Sequence, residues 1–293
     1  MLRPAILDFD GSVAPLDGAS VVPLRDLEED VRFGCRVATL RQVRDRLPAG
    51  APGDDAAVTF LGSGDFHHVS YLLVQALQTL RSPVRVVVFD NHPDNARYPF
   101  GIHCGSWISH VARLPFVSRV DVAGICSADV EGFHAFENHV GLLRSGRVNY
   151  WCVRRNLRLL NALGARTCRS FDSTDSMLDA LLKDAIADPV YLSIDKDVLS
   201  GEVVQTNWDQ GAMRLEELSS AIRTLRPAVV AADITGDVST YRYRSVFKRV
   251  LSRLDSQPEI DALQLGAFQQ RHHAVNAELL SVLTAGRDET RRG

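Results

Sequence analysis

The sequence predicts an α/β fold in three layers, with helices on both faces of a mainly parallel sheet. Short β-rich runs alternate with helical patterns along the 293 residues. Several of those runs are apolar on both alternating faces, as strands covered by helices on each side must be. No repeat, low-complexity tract or long linker interrupts the alternation, so residues 1–293 read as a single domain.

The elements follow in order. "PAILDF" at 4–9 opens the sheet, and "LPAGAPGDD" at 47–55 reads as a surface loop before the strand "AVTFLG" at 57–62. Further strands are expected at "VRVVVFD" (84–90), "RVDVAGI" (119–125), "VNYWCV" (148–153), "PVYLSID" (189–195) and "AVVAADI" (228–234). "DSTDSMLDALLKDAI" at 172–186 starts with capping residues and continues as an apolar stripe, which predicts a helix. In "RLEELSSAIRTL" at 214–225, Leu215, Leu218, Ile222 and Leu225 share one helical face. "GRDETRRG" at 286–293 reads as a frayed tail.

Composition narrows the function classes. A formal net charge of −3 gives no electrostatic reason to expect nucleic acid or an anionic membrane as partner. No apolar run approaches the roughly 20 residues of a membrane helix, and no signal peptide precedes the first acid. The five cysteines are scattered, odd in number and without a C-x-x-C pair, which suits reduced thiols in a cytoplasmic protein.

In an open parallel sheet, ligands bind outside the carboxyl ends of the strands. Three polar clusters stand there: Ser63-Gly64-Asp65-Phe66-His67-His68, Asp90-Asn91-His92-Pro93-Asp94 and Asp195-Lys196-Asp197. Alternate side chains of an extended segment point the same way, so Asp90, His92 and Asp94 can converge, as can Asp195 and Asp197. One Asp after a strand is ordinarily a cap or a turn residue, and a lone His pair ordinarily belongs to a loop. Three such clusters along one sheet edge are a different matter, because crowded carboxylates repel unless a cation sits among them. The chain has only three lysines. Divalent metal ions are the economical answer, and mainly oxygen ligands with one or two imidazoles suit Mn²⁺. Two ions about 3.5–4 Å apart sharing a carboxylate would activate water, as in many binuclear hydrolases.

These residues resemble a known family. Asp90-x-His92-x-Asp94 and Ser193-x-Asp195-x-Asp197 resemble the D-A-H-x-D and S-x-D-x-D signatures of the arginase/agmatinase ureohydrolases, and "LGSGDFHHVS" resembles their G-G-D-H-S segment. The resemblance implies two Mn²⁺ ions and hydrolysis of a C–N bond in a guanidino, formimino or related amidine compound. It implies that Asp90 and Asp195 bridge the ions, with His67 and Asp94 completing one site and His92 and Asp197 the other. Phe66 separates Asp65 from two competing histidines, of which His67 is preferred over His68. "IHCGSW" resembles the family's proton-shuttle segment and points to His103. Asn95, Arg97 and Asp129 fall where the family contacts its substrate. A homo-oligomer is left open by the same resemblance.

Two departures stand out. The family's "D-I-V-E" glutamate, which pairs with the guanidinium, is replaced by Gly236 in "DITGDVS", and Ser200-Gly201 replaces the usual D-P. Asp237, one residue later, and Asp209 in "TNWDQG" are the carboxylates that remain to substitute for that glutamate. Two other readings come from different classes. Asp8-x-Asp10 at the end of the first strand resembles the nucleophile motif of haloacid-dehalogenase-type phosphatases, but that reading leaves the later Asp and His clusters without a role. A metal-binding member without catalysis is the third.

Overall fold

The computed structural model describes residues 4–47, 58–184, 188–254 and 260–285. The 47–55 loop (beyond Leu47), the last residues of the 172–186 segment and the 286–293 tail therefore lie outside the described residues. Nine parallel strands form the central sheet: β1 (Pro4–Asp8), β2 (Ser20–Pro23), β3 (Val58–Gly62), β4 (Val84–Phe89), β5 (Val117–Ile125), β6 (Val148–Val153), β7 (Arg169–Phe171), β8 (Val190–Asp195) and β9 (Val229–Thr235). Their order is β2-β1-β3-β9-β8-β4-β5-β6-β7. All seven expected strands form. The two edge strands β2 and β7 are additional.

Strand alternation splits the core in two. In β4, Val84, Val86 and Val88 pack on one face with Leu40 and Val43 of α1 (Val37–Arg44), Leu72 and Val74 of α2 (Ser70–Gln75) and Trp107 and Val111 of α3 (Trp107–Val111). Val87 and Phe89 face the other way. They join Met177 and Leu181 of α4 (Thr174–Lys183), Leu218 and Ile222 of α5 (Leu215–Leu225) and Leu279 of α6 (Ala262–Thr284). A sheet buried on both faces needs continuous apolar strands, and β4 is buried at every position. α4 begins with a capping box in which Ser173 accepts from the Ser176 backbone N–H. Among the described residues, no helix is long and apolar enough to cross a membrane.

This order makes β3, β9, β8 and β4 neighbours, so segments far apart in sequence end at one place. A buried cation ties two of these strand ends to that of β1. The guanidinium of Arg32 is 1% exposed and bonds Asp65 at 2.7 Å, Asp10 at 3.0 Å and Ser239 Oγ at 2.8 Å. It also lies over the rings of Phe66 and Tyr241. The end of β1, the turn after β3 and the segment after β9 are thereby tied together.

Replacing Arg32 by Met should leave Asp10 and Asp65 buried beside no cation. The expected loss is about 3–5 kcal/mol of stability, measured by urea unfolding. A change below ~1 kcal/mol would show that these carboxylates do not depend on the guanidinium.

Candidate metal centre

His67 lies in a 3-10 turn (Gly64–Val69) that follows β3, with Ser63 Oγ capping the Asp65 N–H. Its Nδ1 faces Asp94 at 3.1 Å, Asp90 at 3.3 Å and Asp195 at 3.5 Å. Its Nε2 donates to Ser193 Oγ at 2.9 Å, and Ser193 donates to Asp233 at 2.7 Å. That chain accounts for a proton on Nε2 and turns Nδ1 toward the acids. His68 points elsewhere, with Nε2 3.8 Å from Cys35 Sγ.

The segment after β4 supplies the rest. Asp90 Oδ2 faces His67, and Asp90 Oδ1 lies 3.7 Å from His92 Nδ1. His92 Nδ1 is also 2.9 Å from Asp197 Oδ2. Asp94 takes a left-handed backbone with φ of 45°, a conformation uncommon for a residue other than glycine and held here by tertiary contacts. Trp107 Nε1 donates to Asp94 Oδ2 at 2.8 Å. Asp195 Oδ1 accepts from the Asp197 N–H at 3.0 Å, leaving Oδ2 toward His67.

Two donor sets result: His67, Asp90 and Asp94, and Asp90, His92 and Asp197. In each, one ligand atom per residue lies within 4.8 Å of the others. Asp90 belongs to both. Its Oδ2 is buried and accepts no hydrogen bond, an expensive state for a carboxylate oxygen unless a cation approaches it. The acids also strain one another. Burial and then the charge of Asp90 push Asp94 and Asp197 up to about 7, and burial with Asp197 raises Asp195. Burial opposes protonation of both imidazoles, yet the surrounding carboxylates outweigh it and raise His67 and His92. Oxygen-rich sets with one imidazole each, crowded anions and an orphaned oxygen all fit divalent cations.

The sets open into a cavity of about 360 Å³. His103, Asp129, His134, Glu137, Trp208 and Asp209 line it beyond the ligand residues. Burial, and more weakly the Lys248 charge, pushes His103 down to about 3. Its Nδ1 accepts from the Gly105 N–H at 3.0 Å, so the neutral ring carries its proton on Nε2. Asp129 is half-buried and accepts from Ser127 Oγ at 3.1 Å.

Other expected residues stand apart from the cavity wall. Asn95 is buried and donates to the Tyr150 hydroxyl at 2.9 Å. Arg97 is exposed. Asp237 is fully buried, 2.7 Å from Lys196 Nζ, and accepts from Asn276 at 3.0 Å. Of the two opening acids, Asp8 pairs with Arg25 near the surface and Asp10 is held by Arg32 and Ser12. Neither lines the cavity. Sequence reasoning did not assign Trp107 or the Ser193–Asp233 relay; the serine of S-x-D-x-D was the available signal for the latter.

A sequence model described as "Arginase family" matches residues 15–239. The chain belongs to the arginase family. An uncharacterized protein of Thermotoga maritima is 30% identical over 210 residues, covering 71% of this chain and 68% of that one. Among solved structures, a putative agmatinase from Clostridium difficile superposes with a TM-score of 0.56 at 13% identity, covering 99% of this chain and 98% of its own. A hypothetical agmatinase from Burkholderia thailandensis gives 0.50 at 15% identity, covering 88% of this chain and 64% of its own. At these identities the likeness is one of fold.

Within this arginase-family chain, the missing glutamate has a steric counterpart. Gly236 has φ of 85°, and a Cβ there would lie 2.3 Å from Asp195 Oδ1 and 2.7 Å from the Lys196 N. The backbone there is pressed against Asp195 and the start of the 3-10 turn that follows it.

Proposed function

We propose that this chain is a hydrolase of the ureohydrolase type, cleaving a C–N bond in a small guanidino, formimino or related amidine compound. The observation that carries the reading is Asp90, which presents one oxygen to each of two donor sets. Two divalent ions, Mn²⁺ by ligand type, are the proposed cofactors. Bound there, such ions supply Lewis acidity and bring water toward deprotonation near neutral pH.

The chain's own residues do the rest. Asp90 belongs to both donor sets and Asp195, outside both, turns Oδ2 toward His67; the two are assigned as shared ligands. His67 and Asp94 complete one set, His92 and Asp197 the other. Trp107 holds the Asp94 carboxylate in place, and Ser193 fixes the His67 tautomer. His103 is neutral with its proton on Nε2, which suits a hydrogen bond to the leaving nitrogen; to deliver a proton, the ring must first take up a second one. Asp129 and Glu137 give the outer cavity negative charge, which favours an amino group at the far end of the substrate. Asn95, Arg97 and Asp237 are engaged or turned away, and no substrate contact is assigned to them.

The reacting end is the more selective part. Gly236 offers no carboxylate, Asp237 is occupied by Lys196, and Asp209 is hydrogen-bonded to His92. A full guanidinium enclosed here would lack its partner, at a cost of several kcal/mol. A weakly basic amidine or formimino group needs less.

Protein loaded with Mn²⁺ should hold two ions per chain by elemental analysis, and Asp90→Ala should empty both positions. Two ions retained by that variant would overturn the shared-ligand assignment. His103→Ala should lower kcat by about 10²–10⁴-fold with metal content unchanged; full activity would remove His103 from the chemistry. Across guanidino, hydroxyguanidino, formimino and amide compounds, read by urea and ammonia release, arginine and agmatine should be poor substrates. Arginine as the best of them would refute the charge argument, and no turnover of any would refute the hydrolase reading.

A further inference from the structure

The two imidazoles of the centre are held from behind in different ways. His67 Nε2 meets Ser193 Oγ at 2.9 Å, inside the sheet, and both residues are buried. His92 Nε2 meets Asp209 Oδ1 at 2.6 Å, and the Asp209 side chain is 68% exposed on the cavity wall. Asp209 does not come from a strand end. It belongs to the 206–211 loop, laid across the mouth by the Gly211 N–H donating to the Asp197 carbonyl at 2.7 Å.

Both oxygens of Asp209 are directed at the segment after β4. Oδ1 takes His92 Nε2, while Asn91 Nδ2 donates to Oδ2 at 3.2 Å and to the Asp209 carbonyl at 3.0 Å. The Asn91 N–H in turn donates to Asp197 Oδ1 at 3.0 Å. Trp208 meets the His92 ring edge to face at 6.0 Å between centroids. Asp197, Asn91, His92 and Asp209 thus form one closed network.

We infer that Asp209 is a positioning residue, which holds the His92 ring by its Nε2–H so that Nδ1 is presented to a divalent ion shared with Asp90 and Asp197. The inference rests on the binuclear reading proposed above. It places Asp209 behind a ligand and not opposite the substrate's amidine group. A carboxylate behind a ligating imidazole fixes the tautomer and raises the basicity of the ligating nitrogen. Here that carboxylate comes from a loop that also walls the cavity.

The test uses the full chain, stripped by chelator and titrated with Mn²⁺ alone. Calorimetry counts and ranks the ions; electron paramagnetic resonance distinguishes an isolated ion from a coupled pair. The parent should take two ions. Asp209→Ala should keep the ion held by His67, Asp90 and Asp94 and bind the other about 10–100-fold more weakly, so the coupled signal needs correspondingly more Mn²⁺. Asp209→Asn, which keeps an acceptor oxygen without the charge, should fall between. Unchanged binding of both ions in Asp209→Ala, with only KM raised, would overturn the inference and make Asp209 a substrate contact. Equal weakening of both ions, or a lower melting temperature of the stripped variant, would overturn it in favour of a general role in loop structure. A parent that takes fewer than two ions would remove the binuclear reading and this inference together.

Discussion

The carboxylate of Asp90 is the constraint around which the centre is arranged. It is almost fully buried, has one oxygen without a hydrogen bond, and stands between two imidazoles whose Nδ1 atoms both face it. A strand end is one of the few places where such a group can be held rigidly. The backbone of β4 is fixed by β8 on one side and β5 on the other, and the Asp90 N–H continues that ladder to the Ala123 carbonyl at 3.0 Å. The acid has no freedom to turn toward water, so the charge must be met where it stands.

The surrounding cations show how selectively this is done. Arg32 is buried and satisfies Asp10 and Asp65; Lys196 is fully buried and satisfies Asp237. Lys196 lies between Asp195 and Asp197 in sequence, yet its side chain leaves on the opposite side, toward Asn276 of α6. The chain leaves the strand at Asp195 and turns into a 3-10 helix over Lys196–Val198, which sends the two side chains in different directions. Asp10, Asp65 and Asp237, which serve the fold, each have a fixed cation, while Asp233 is held by the Tyr191 and Ser193 hydroxyls. Among the described residues, Asp90, Asp94, Asp195 and Asp197 have only imidazoles. Under the binuclear proposal, these four are the acids left for divalent cations to meet.

Much of this architecture was legible in the sequence because its signals are strong where burial is complete. β4, β6 and β8 are buried at every position, and their apolar runs stand out. The edge strands carry little such signal: Ser20–Pro23 has one buried residue and Arg169–Phe171 has none. The donor residues were legible as acid and histidine clusters at strand ends, but they converge through turns and not through alternation: the strand ends at Phe89, Asp94 has φ of 45°, and Asp197 lies in a 3-10 turn. Return paths were not legible. Nothing in the spacing of Arg32, Trp107 or Asp209 indicates that each folds back onto a strand-end acid or imidazole, because those contacts depend on loop geometry. The opening Asp8-x-Asp10 illustrates the converse. It has the local form of a chemical motif, yet the fold uses Asp10 as an anchor for Arg32.

Asp195 links the fold to the selectivity of the cavity. Its two oxygens face two glycines: a Cβ on Gly64 would lie 3.1 Å from Oδ2, and one on Gly236 would lie 2.3 Å from Oδ1. The positive φ of Gly236 brings β9's continuation up against Asp195 and the Lys196 N, behind the cavity lining. A glutamate could not be introduced there without moving Asp195, Lys196 or both. The lack of a side chain at position 236 is therefore built into the backbone path. The Lys196–Asp237 pair reinforces that path, since Asp237 follows Gly236 directly and is anchored to the residue after Asp195.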